Sequence, residues 1–331
     1  MNEDMEKTYR PRRFTFHLTE RCQYTCLHCW MSHGRVRLEH LPAETWLDAA
    51  AAICDTQEEI ENIVLCGGEP LLRPETFKLI EYLARRGVTH SLNTNAYAVN
   101  REKAERLADL GLARINISID GPAPVHNAIR KHPRAYDRAM EAAHLMAEIS
   151  PNTEVAVNCT LMGANIGSIK ELVELIESDP AFQTLSFQAI TNPFDSFVDQ
   201  RLTGNPELWP QDTEEAAGAV EWLIEKRRAG YKIVNPESQL KLFAKYFQDP
   251  HAAHSQSCTV SEFGMSLLNT GDVLLCHYMK PIGNMKQKRF ADILASDTLA
   301  PLIREMEACT RTNCHQVMNC YYLIKEDGNR A

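Results

Sequence analysis

The chain has 331 residues, of which 44% are hydrophobic and 24% charged, and its formal net charge is −9 at pH 7. This composition is typical of a globular enzyme with a sizeable core. The negative charge argues against nucleic acid or an anionic membrane as a partner, since both require a basic surface. No apolar run is long enough to span a membrane, and the polar N-terminus is unlike an export signal, so a cytoplasmic location is expected.

Six strand-like runs alternate with helical patterns over the first part of the chain. The predicted strands are 13–19, 62–66, 89–95, 113–120, 154–161 and 184–190, and the predicted helices are 42–56, 74–86, 101–110, 135–149 and 166–177. This alternation predicts an α/β fold with a parallel sheet covered by helices. Six units are too few for a closed eight-stranded barrel, so the count fits a partial (β/α)6 TIM-like barrel.

Two further segments follow the alternating part, which takes residues 1–190. Residues 191–257 are expected to form a connecting region with helices at 212–228 and 236–247. Residues 258–331 begin with a predicted β-hairpin, in which strands 265–268 and 273–275 flank a turn at 269–272. A helix is expected to follow this hairpin.

Eleven cysteines in a chain without an export signal indicate metal ligands or catalytic thiols rather than disulfides. Three of them, Cys22, Cys26 and Cys29, follow the first predicted strand with the spacing C-x3-C-x2-C. Three thiolates on one loop can bind an iron–sulfur cluster and leave one iron open to another ligand. A zinc site is the alternative, although zinc usually takes four ligands in two C-x2-C pairs, and only one such pair is present.

This spacing resembles the signature of the radical S-adenosylmethionine (SAM) superfamily. The resemblance implies a 4Fe-4S cluster on Cys22, Cys26 and Cys29, with SAM on the open iron. It also implies that one electron cleaves SAM to methionine and a 5′-deoxyadenosyl radical. His28 occupies a position that is usually aromatic in this motif and is expected to contact the cofactor.

The loop Gly67-Gly68-Glu69-Pro70 follows the second predicted strand. Glycines allow close approach of a ligand to the backbone, and a carboxylate can accept hydrogen bonds from an ammonium group. In the resembled family this motif holds the amino group of SAM. A tight turn without a ligand is the alternative for the same four residues.

Six polar residues near the ends of later strands complete the expected SAM site. The resemblance implies that Ser118 contacts the SAM carboxylate or ribose and that Arg130 pairs with the carboxylate. It further suggests ribose contacts for the asparagines. Capping of strand ends, or exposure for the arginine, is the alternative for each. The six residues are Asn93, Asn95, Ser118, Asp120, Arg130 and Asn158.

Five cysteines form a second group in the last segment: Cys258, Cys276, Cys309, Cys314 and Cys320. A hairpin flanked by cysteines resembles the twitch and SPASM extensions of radical SAM enzymes, which bind auxiliary iron–sulfur clusters. SPASM modules hold two clusters and need more than five cysteines, so one auxiliary 4Fe-4S cluster in a twitch-like domain is expected. Cys258 and Cys276 are expected to be ligands of this cluster. Two or more of the other three cysteines complete the ligand set, and their spacing does not decide which. A zinc knuckle is the alternative.

The resemblance fixes a reaction class and leaves the substrate open. Hydrogen abstraction from a carbon of a ribosomally made peptide is the first expectation. Oxidation, decarboxylation or epimerisation of a small polar metabolite, such as an aminocyclitol, a nucleoside sugar or a tetrapyrrole, is the second. A non-catalytic metal-binding interaction protein is a third. The enzyme would need a reductant such as flavodoxin or ferredoxin, and the last segment is expected to cap the barrel mouth.

Overall fold

The computed structural model describes residues 11–29, 40–190, 208–249, 264–309 and Cys314. Six parallel strands form the first part, in the order β6-β5-β4-β3-β2-β1. They are β1 (Arg13–His17), β2 (Asn62–Cys66), β3 (His90–Thr94), β4 (Arg114–Ser118), β5 (Glu154–Leu161) and β6 (Thr184–Ala189). The predicted α/β partial barrel is therefore confirmed.

Helices follow each of the first five strands, and two more precede the C-terminal part. They are α1 (Ala43–Thr56), α2 (Glu75–Arg85), α3 (Arg101–Asp109), α4 (Ala123–Arg130), α5 (Ala135–Ile149), α6 (Ile169–Ser178), α7 (Thr213–Arg228) and α8 (Glu237–Gln248). Most predicted bounds are correct to within a few residues. The exception is α4, which the sequence pattern did not predict because Asp120-Gly121-Pro122 reads as a turn. Pro122 is the N-cap residue of α4, so the turn leads directly into a helix.

Alternation along the strands separates an apolar face from a polar one. Phe16 is fully buried, and its ring lies 5.5 Å from that of Trp46 on α1, so this face packs against the helices. The strand register puts Leu65, Leu92 and Ile115 on the same side as Phe16. The opposite side faces the lumen of the partial barrel and carries mostly polar residues.

Three C-terminal strands extend the same sheet beyond β1. They are β7 (Gly264–Leu268), β8 (Asp272–Leu274) and β9 (Gly283–Asn284), followed by α9 (Phe290–Leu294) and α10 (Leu299–Glu307). The predicted hairpin is present as β7 and β8. In addition, β7 pairs with β1 in parallel, from Arg13 opposite Gly264 to His17 opposite Leu268.

The C-terminal strands therefore share the sheet and the hydrophobic core of the barrel. Leu267 and Val273 are fully buried in the same core as Phe14 and Ile63. The described strands of this segment continue the sheet at the β1 edge, and the expected capping of the barrel mouth stays a prediction. The edge of β1 is paired because β7 presents an apolar, strand-forming run to it. The division at residues 190 and 257 stays a prediction.

None of the helices in the described ranges combines the length and the apolar character needed to cross a membrane.

Candidate iron–sulfur and SAM site

The first cysteine group lies on the loop that follows β1, at the carboxyl ends of the parallel strands. Cys26 is buried, and Cys22 and Cys29 are half-buried. Burial raises the pKa of the Cys22 thiol to about 12, and the negative charges of Cys26 and Cys29 contribute to that rise. Cys22 and Cys29 pack against the buried cluster of Tyr24, Cys26 and Ala135, so the three thiols lie close together. Metal binding removes their protons, because the ligand is the thiolate.

Three N–H groups donate to these sulfurs. The backbone N–H of Tyr24 lies 3.4 Å from Cys22 Sγ, and Asn95 Nδ2 lies 3.3 Å from the same atom. Arg130 Nη1 lies 3.8 Å from Cys26 Sγ. Such donors stabilise negative charge on sulfur, which suits thiolates bound to iron.

The Gly67-Gly68 loop packs directly on the backbone of the cysteine loop. Gly68 N donates to Thr19 O at 2.7 Å, and Glu69 N donates to Arg21 O at 2.8 Å. A Cβ at Gly68 would lie 2.3 Å from Arg21 O. A Cβ at Gly67, whose φ is +141°, would lie 2.4 Å from Thr19 O. In this structure, the glycines are needed for close approach of two loops.

Glu69 is wholly buried and joins its own loop to the end of β3. Its carboxylate accepts from Leu71 N at 3.0 Å, from Thr94 Oγ1 at 2.8 Å and from Asn95 N at 2.9 Å. Burial raises its pKa, although the hydrogen bonds from Asn95, Leu71 and Thr94 oppose the rise. A carboxylate in this state gains stability from a nearby cation, such as an ammonium group. Pro70 beside it is buried and begins a short 3-10 turn, Pro70–Leu72.

Asp120 and Arg130 form a buried ion pair beside Cys26. Arg130 Nη2 lies 2.7 Å from Asp120 Oδ2, and Asp120 is fully buried. Burial disfavours the charge of Asp120, but Arg130, His28 and His126 outweigh burial and lower its pKa. The pKa of Arg130 is raised; burial opposes this rise, which the charges of Asp120 and Cys26 produce. The half-buried His28 therefore lies near this pair.

Asn93, Ser118 and Asn158 face the lumen on neighbouring strands. Asn93 Oδ1 accepts from Asn116 Nδ2 at 2.8 Å, and Asn158 Oδ1 accepts from the Ser186 hydroxyl. The register of β4 and β5 puts Ser118 opposite Asn158. Asn95 differs from these three, because its side chain contacts Cys22 and Gln23.

Cys66 and two histidines lie on the lumen side of β1 and β2. Cys66 Sγ is 3.4 Å from His17 Nδ1, and the ring of His17 lies 6.0 Å from that of His277. Burial raises the pKa of Cys66 to about 12 and lowers the pKa of His17 to about 3. Because His277 follows Cys276, the loop that carries Cys276 reaches the lumen.

The second cysteine group is only partly described. Cys276 is buried two residues beyond the end of β8, and its sulfur accepts from Tyr278 N at 3.4 Å. Cys314 is buried and Cys309 is exposed. Cys258 and Cys320 lie outside the described residues, so the ligand set of this group stays a prediction.

The residues present fit an iron–sulfur cluster. Cys22 and Cys29 pack against the small buried cluster that contains Cys26, so the three thiols lie on one side of one loop. Each cysteine of a four-iron cluster binds a different iron, and three cysteines leave one iron open to another ligand. The N–H donors around the sulfurs stabilise the thiolates that such a cluster needs.

Several residues of this site escaped the sequence reasoning. The Thr94 hydroxyl lies 2.8 Å from both carboxylate oxygens of Glu69 and donates to them. Gln23 Nε2 donates to Asn95 Oδ1 at 2.6 Å. His126 Nδ1 accepts the backbone N–H of Asp120 at 3.0 Å. Thr94 follows Asn93 at the carboxyl end of β3, and this position was the one sequence signal that could have placed Thr94 in the site. Gln23 and His126 carry no recognisable pattern.

Comparison with known proteins agrees with this geometry. The model of the radical SAM superfamily matches residues 16–176, and that of the SPASM iron–sulfur cluster-binding domain matches residues 258–321. The chain is 31% identical to the AdoMet-dependent heme synthase of Nitratidesulfovibrio vulgaris over 163 residues, which are 48% of this chain and 43% of that protein. It is 25% identical to the sporulation killing factor maturation protein SkfB of Bacillus subtilis over 214 residues, 61% of this chain and 51% of SkfB. The chain thus spans about half, or less, of the length of these curated relatives.

Solved structures show the same fold. Streptococcus suis SuiB bound to S-adenosylmethionine superposes with a TM-score of 0.68 at 18% identity, over 89% of this chain and 68% of SuiB. Native anSMEcpe with bound AdoMet and Cp18Cys peptide gives a TM-score of 0.64 at 17% identity, over 94% of this chain and 88% of anSMEcpe. At these identities the likeness establishes the fold. Together with the two matching family models and the three-cysteine loop, it shows that the chain belongs to the radical SAM superfamily and carries a C-terminal auxiliary iron–sulfur cluster domain of the SPASM or twitch type.

Proposed function

We propose that this chain is a radical SAM oxidoreductase that modifies a ribosomally synthesised peptide. When bound, the 4Fe-4S cluster and SAM supply a 5′-deoxyadenosyl radical that removes a hydrogen atom from a substrate carbon. The observation that supports the reaction class is the junction of the Cys22–Cys29 loop with Gly67, Gly68 and Glu69 at the strand ends. This junction brings the residues expected for the cluster next to those expected for SAM.

The chain's own residues have distinct tasks in this proposal. Cys22, Cys26 and Cys29 hold the cluster, and Glu69 receives the SAM ammonium group in a buried, water-poor position. Ser118 and Asn158 present a hydroxyl and an amide on the lumen side, where they can orient the ribose or carboxylate of SAM. Glu69 and Asp120 are themselves out of contact with water, which strengthens their interaction with a bound cation.

The hydrogen-bonding groups on the lumen side favour a peptide. The two arginines of this side, Arg13 and Arg114, begin β1 and β4 and pair with Glu61 at 2.7 Å and with Glu154 at 3.3 Å. Asn93, Asn158 and Ser186 lie on the same side, farther toward the carboxyl ends of their strands than these arginines. Uncharged donors and acceptors of this kind match the backbone amides of a peptide. SuiB, with the same fold, is known bound to its precursor peptide SuiA.

Oxidation of a tetrapyrrole or another small polar metabolite is the second candidate. It is favoured by the curated relatives at 25–31% identity, among them AdoMet-dependent heme synthases and an Fe-coproporphyrin III synthase. Those matches cover 48–50% of this chain, about the length of the region that the superfamily model matches. They therefore support the reaction class more than the substrate.

The test is product analysis with the anaerobically reconstituted protein, SAM and dithionite, with flavodoxin or ferredoxin as the expected physiological reductant. A short peptide encoded beside the gene should change in mass and increase the yield of 5′-deoxyadenosine, whereas an iron coproporphyrin should do neither. Cys276→Ala should retain uncoupled SAM cleavage but lose the modified peptide, because an auxiliary cluster would no longer accept the substrate electron. Cys54→Ala, on α1, is the matched control and should behave as the parent. Conversion of the porphyrin with no change in any peptide would refute the proposed substrate.

A further inference from the structure

Two buried side chains donate hydrogen bonds to two of the three cysteine sulfurs. Asn95 Nδ2 lies 3.3 Å from Cys22 Sγ, and Arg130 Nη1 lies 3.8 Å from Cys26 Sγ. Asn95 is 7% exposed and Arg130 is 8% exposed. Because little water reaches either contact, the field of each donor at its sulfur is weakly screened.

Asn95 is held in one orientation by its other hydrogen bonds. Its amide oxygen accepts from Gln23 Nε2 at 2.6 Å and from Tyr97 N at 3.1 Å. Its backbone N–H donates to Glu69 Oε2 at 2.9 Å. With the oxygen occupied by two donors, the NH2 group must be the one that faces Cys22, so the assignment of the amide follows from the network.

Arg130 is held in the same manner by a different carboxylate. Its Nη2 lies 2.7 Å from Asp120 Oδ2, while Asp120 Oδ1 accepts from Thr160 N at 3.2 Å. The α4 helix that carries Arg130 is also tied to the cysteine loop, since Leu27 N donates to Ile129 O at 2.9 Å. The guanidinium therefore keeps its place beside Cys26 without a ligand to hold it.

We propose that Asn95 and Arg130 set the reduction potential of the cluster on Cys22, Cys26 and Cys29. The inference rests on the proposed function, which requires this cluster. Reduction adds one electron from a low-potential carrier, or from dithionite in the test, and changes no covalent bond. Part of the added charge spreads onto the cysteine sulfurs. N–H donors and a fixed cation at those sulfurs stabilise the reduced cluster more than the oxidised cluster, so the potential rises.

Asn95→Asp is the sharpest variant, because Asp keeps the acceptor for Gln23 and Tyr97 and replaces the donor to Cys22 with an oxygen. The readout is the midpoint potential of the first cluster in SAM-free protein, from an EPR-monitored dithionite titration. We expect Asn95→Asp and Arg130→Met each to lower the midpoint potential by at least about 59 mV, which is a tenfold change in the equilibrium constant of a one-electron reduction. Arg130→Lys should lower it less, since Lys retains the charge beside Asp120.

Asn116→Ala is the matched control, since this buried asparagine bonds Asn93 and Arg114 instead of a sulfur. Its midpoint potential should equal that of the parent. Parent-like potentials in Asn95→Asp and Arg130→Met, at full iron content, would overturn the proposal. Loss of the cluster from both variants, with Asn116→Ala still loaded, would show that the two donors only hold the loop and would also overturn it. A parent without any cluster would instead refute the proposed function.

Discussion

Glu69 and Asp120 are wholly buried carboxylates, and each follows the end of a strand. Glu69 connects the loop after β2 to the end of β3, and Asp120 connects the loop after β4 to α4 and β5. Each also fixes a residue that touches a cysteine sulfur, through Asn95 or through Arg130. The two residues therefore act on both the loop geometry and the expected cofactor site.

Glu69→Ala should weaken SAM binding and also destabilise the fold. Each hydrogen bond to a buried charge that is lost costs about 1.5–3 kcal/mol. Isothermal calorimetry with SAM and a urea titration would measure the two effects. Glu75→Ala removes a more exposed carboxylate paired with Arg73 and should change both quantities little. Unchanged SAM affinity in Glu69→Ala would contradict the assigned role.

His126 should make the protein lose stability as the pH falls below about 6.5. Its Nδ1 accepts the Asp120 N–H, so the folded protein needs the neutral ring. Burial, followed by the charge of Arg130, lowers its pKa to about 3. Between pH 6.5 and 3 the unfolded state binds a proton that the folded state does not. The free energy of unfolding therefore falls by about 1.4 kcal/mol for each pH unit of acidification.

His126→Asn provides the comparison, because its amide oxygen can accept the same N–H and does not titrate in this range. Urea unfolding at several pH values between 5 and 7.5 should measure this. The free energy of unfolding should fall less steeply with acidification in the variant than in the parent, because unfolding of the variant takes up about one proton less. Parallel pH profiles for the two proteins would show that His126 is not responsible.

At the scale of elements, two loops that are distant in sequence behave as one unit. The backbone of Thr19 and Arg21 accepts hydrogen bonds from Gly68 and Glu69, so the cysteine loop is seated on the loop after β2. The α4 helix holds the same cysteine loop from the other side through Ile129. The cysteines are thus positioned by two neighbouring elements as well as by their own loop.

Gly68→Ala should separate these loops, because its methyl group would lie 2.3 Å from Arg21 O. We expect weaker iron incorporation, a loss of SAM affinity and a lower urea midpoint. Gly218→Ala on α7 is the control, since a Cβ there has no neighbour within 4 Å. That control should gain about 0.5–1 kcal/mol in stability, as a helix-interior glycine is removed. Parent-like iron content and SAM affinity in Gly68→Ala would contradict the seating of one loop on the other.

At the scale of the whole molecule, the first cysteine loop and the loop of Cys276, far apart in sequence, approach the same lumen. The ring contact of His17 with His277 brings the loop of Cys276 to the lumen side of β1. The pairing of β7 with β1 explains this approach, because it places the C-terminal hairpin beside the strand that precedes the first cysteine loop. An auxiliary cluster on this loop would therefore lie on the side of the sheet that faces a substrate.

The reconstituted protein should contain two four-iron clusters, about eight irons per chain. Combined replacement of Cys22, Cys26 and Cys29 by Ala should leave about four irons and abolish SAM cleavage. Iron and sulfide analysis with EPR would measure this. Cys159→Ala, a buried cysteine on the helix-facing side of β5, should keep the full iron content. Full iron in the triple variant would refute the first cluster site, and a third cluster in the parent would refute a single auxiliary one.

The sequence by itself determined most element types, though not α4, together with the partial parallel barrel and the placement of the cysteine and Gly-Gly-Glu loops at strand ends. Those features depend on local periodicity and on the rule that parallel strands present their carboxyl ends at one edge. The sequence also supplied the C-x3-C-x2-C spacing that indicates the radical SAM superfamily.

Tertiary structure alone decided which partners the polar residues take. Asn95 contacts Cys22 across 73 positions of sequence, and Arg130 contacts Cys26 across 104. Glu69 binds Thr94 and Asn95 of the next strand, and β7 joins β1 and not a separate layer. No local pattern encodes such contacts, because they depend on the packing of strands and loops that the chain brings together only on folding.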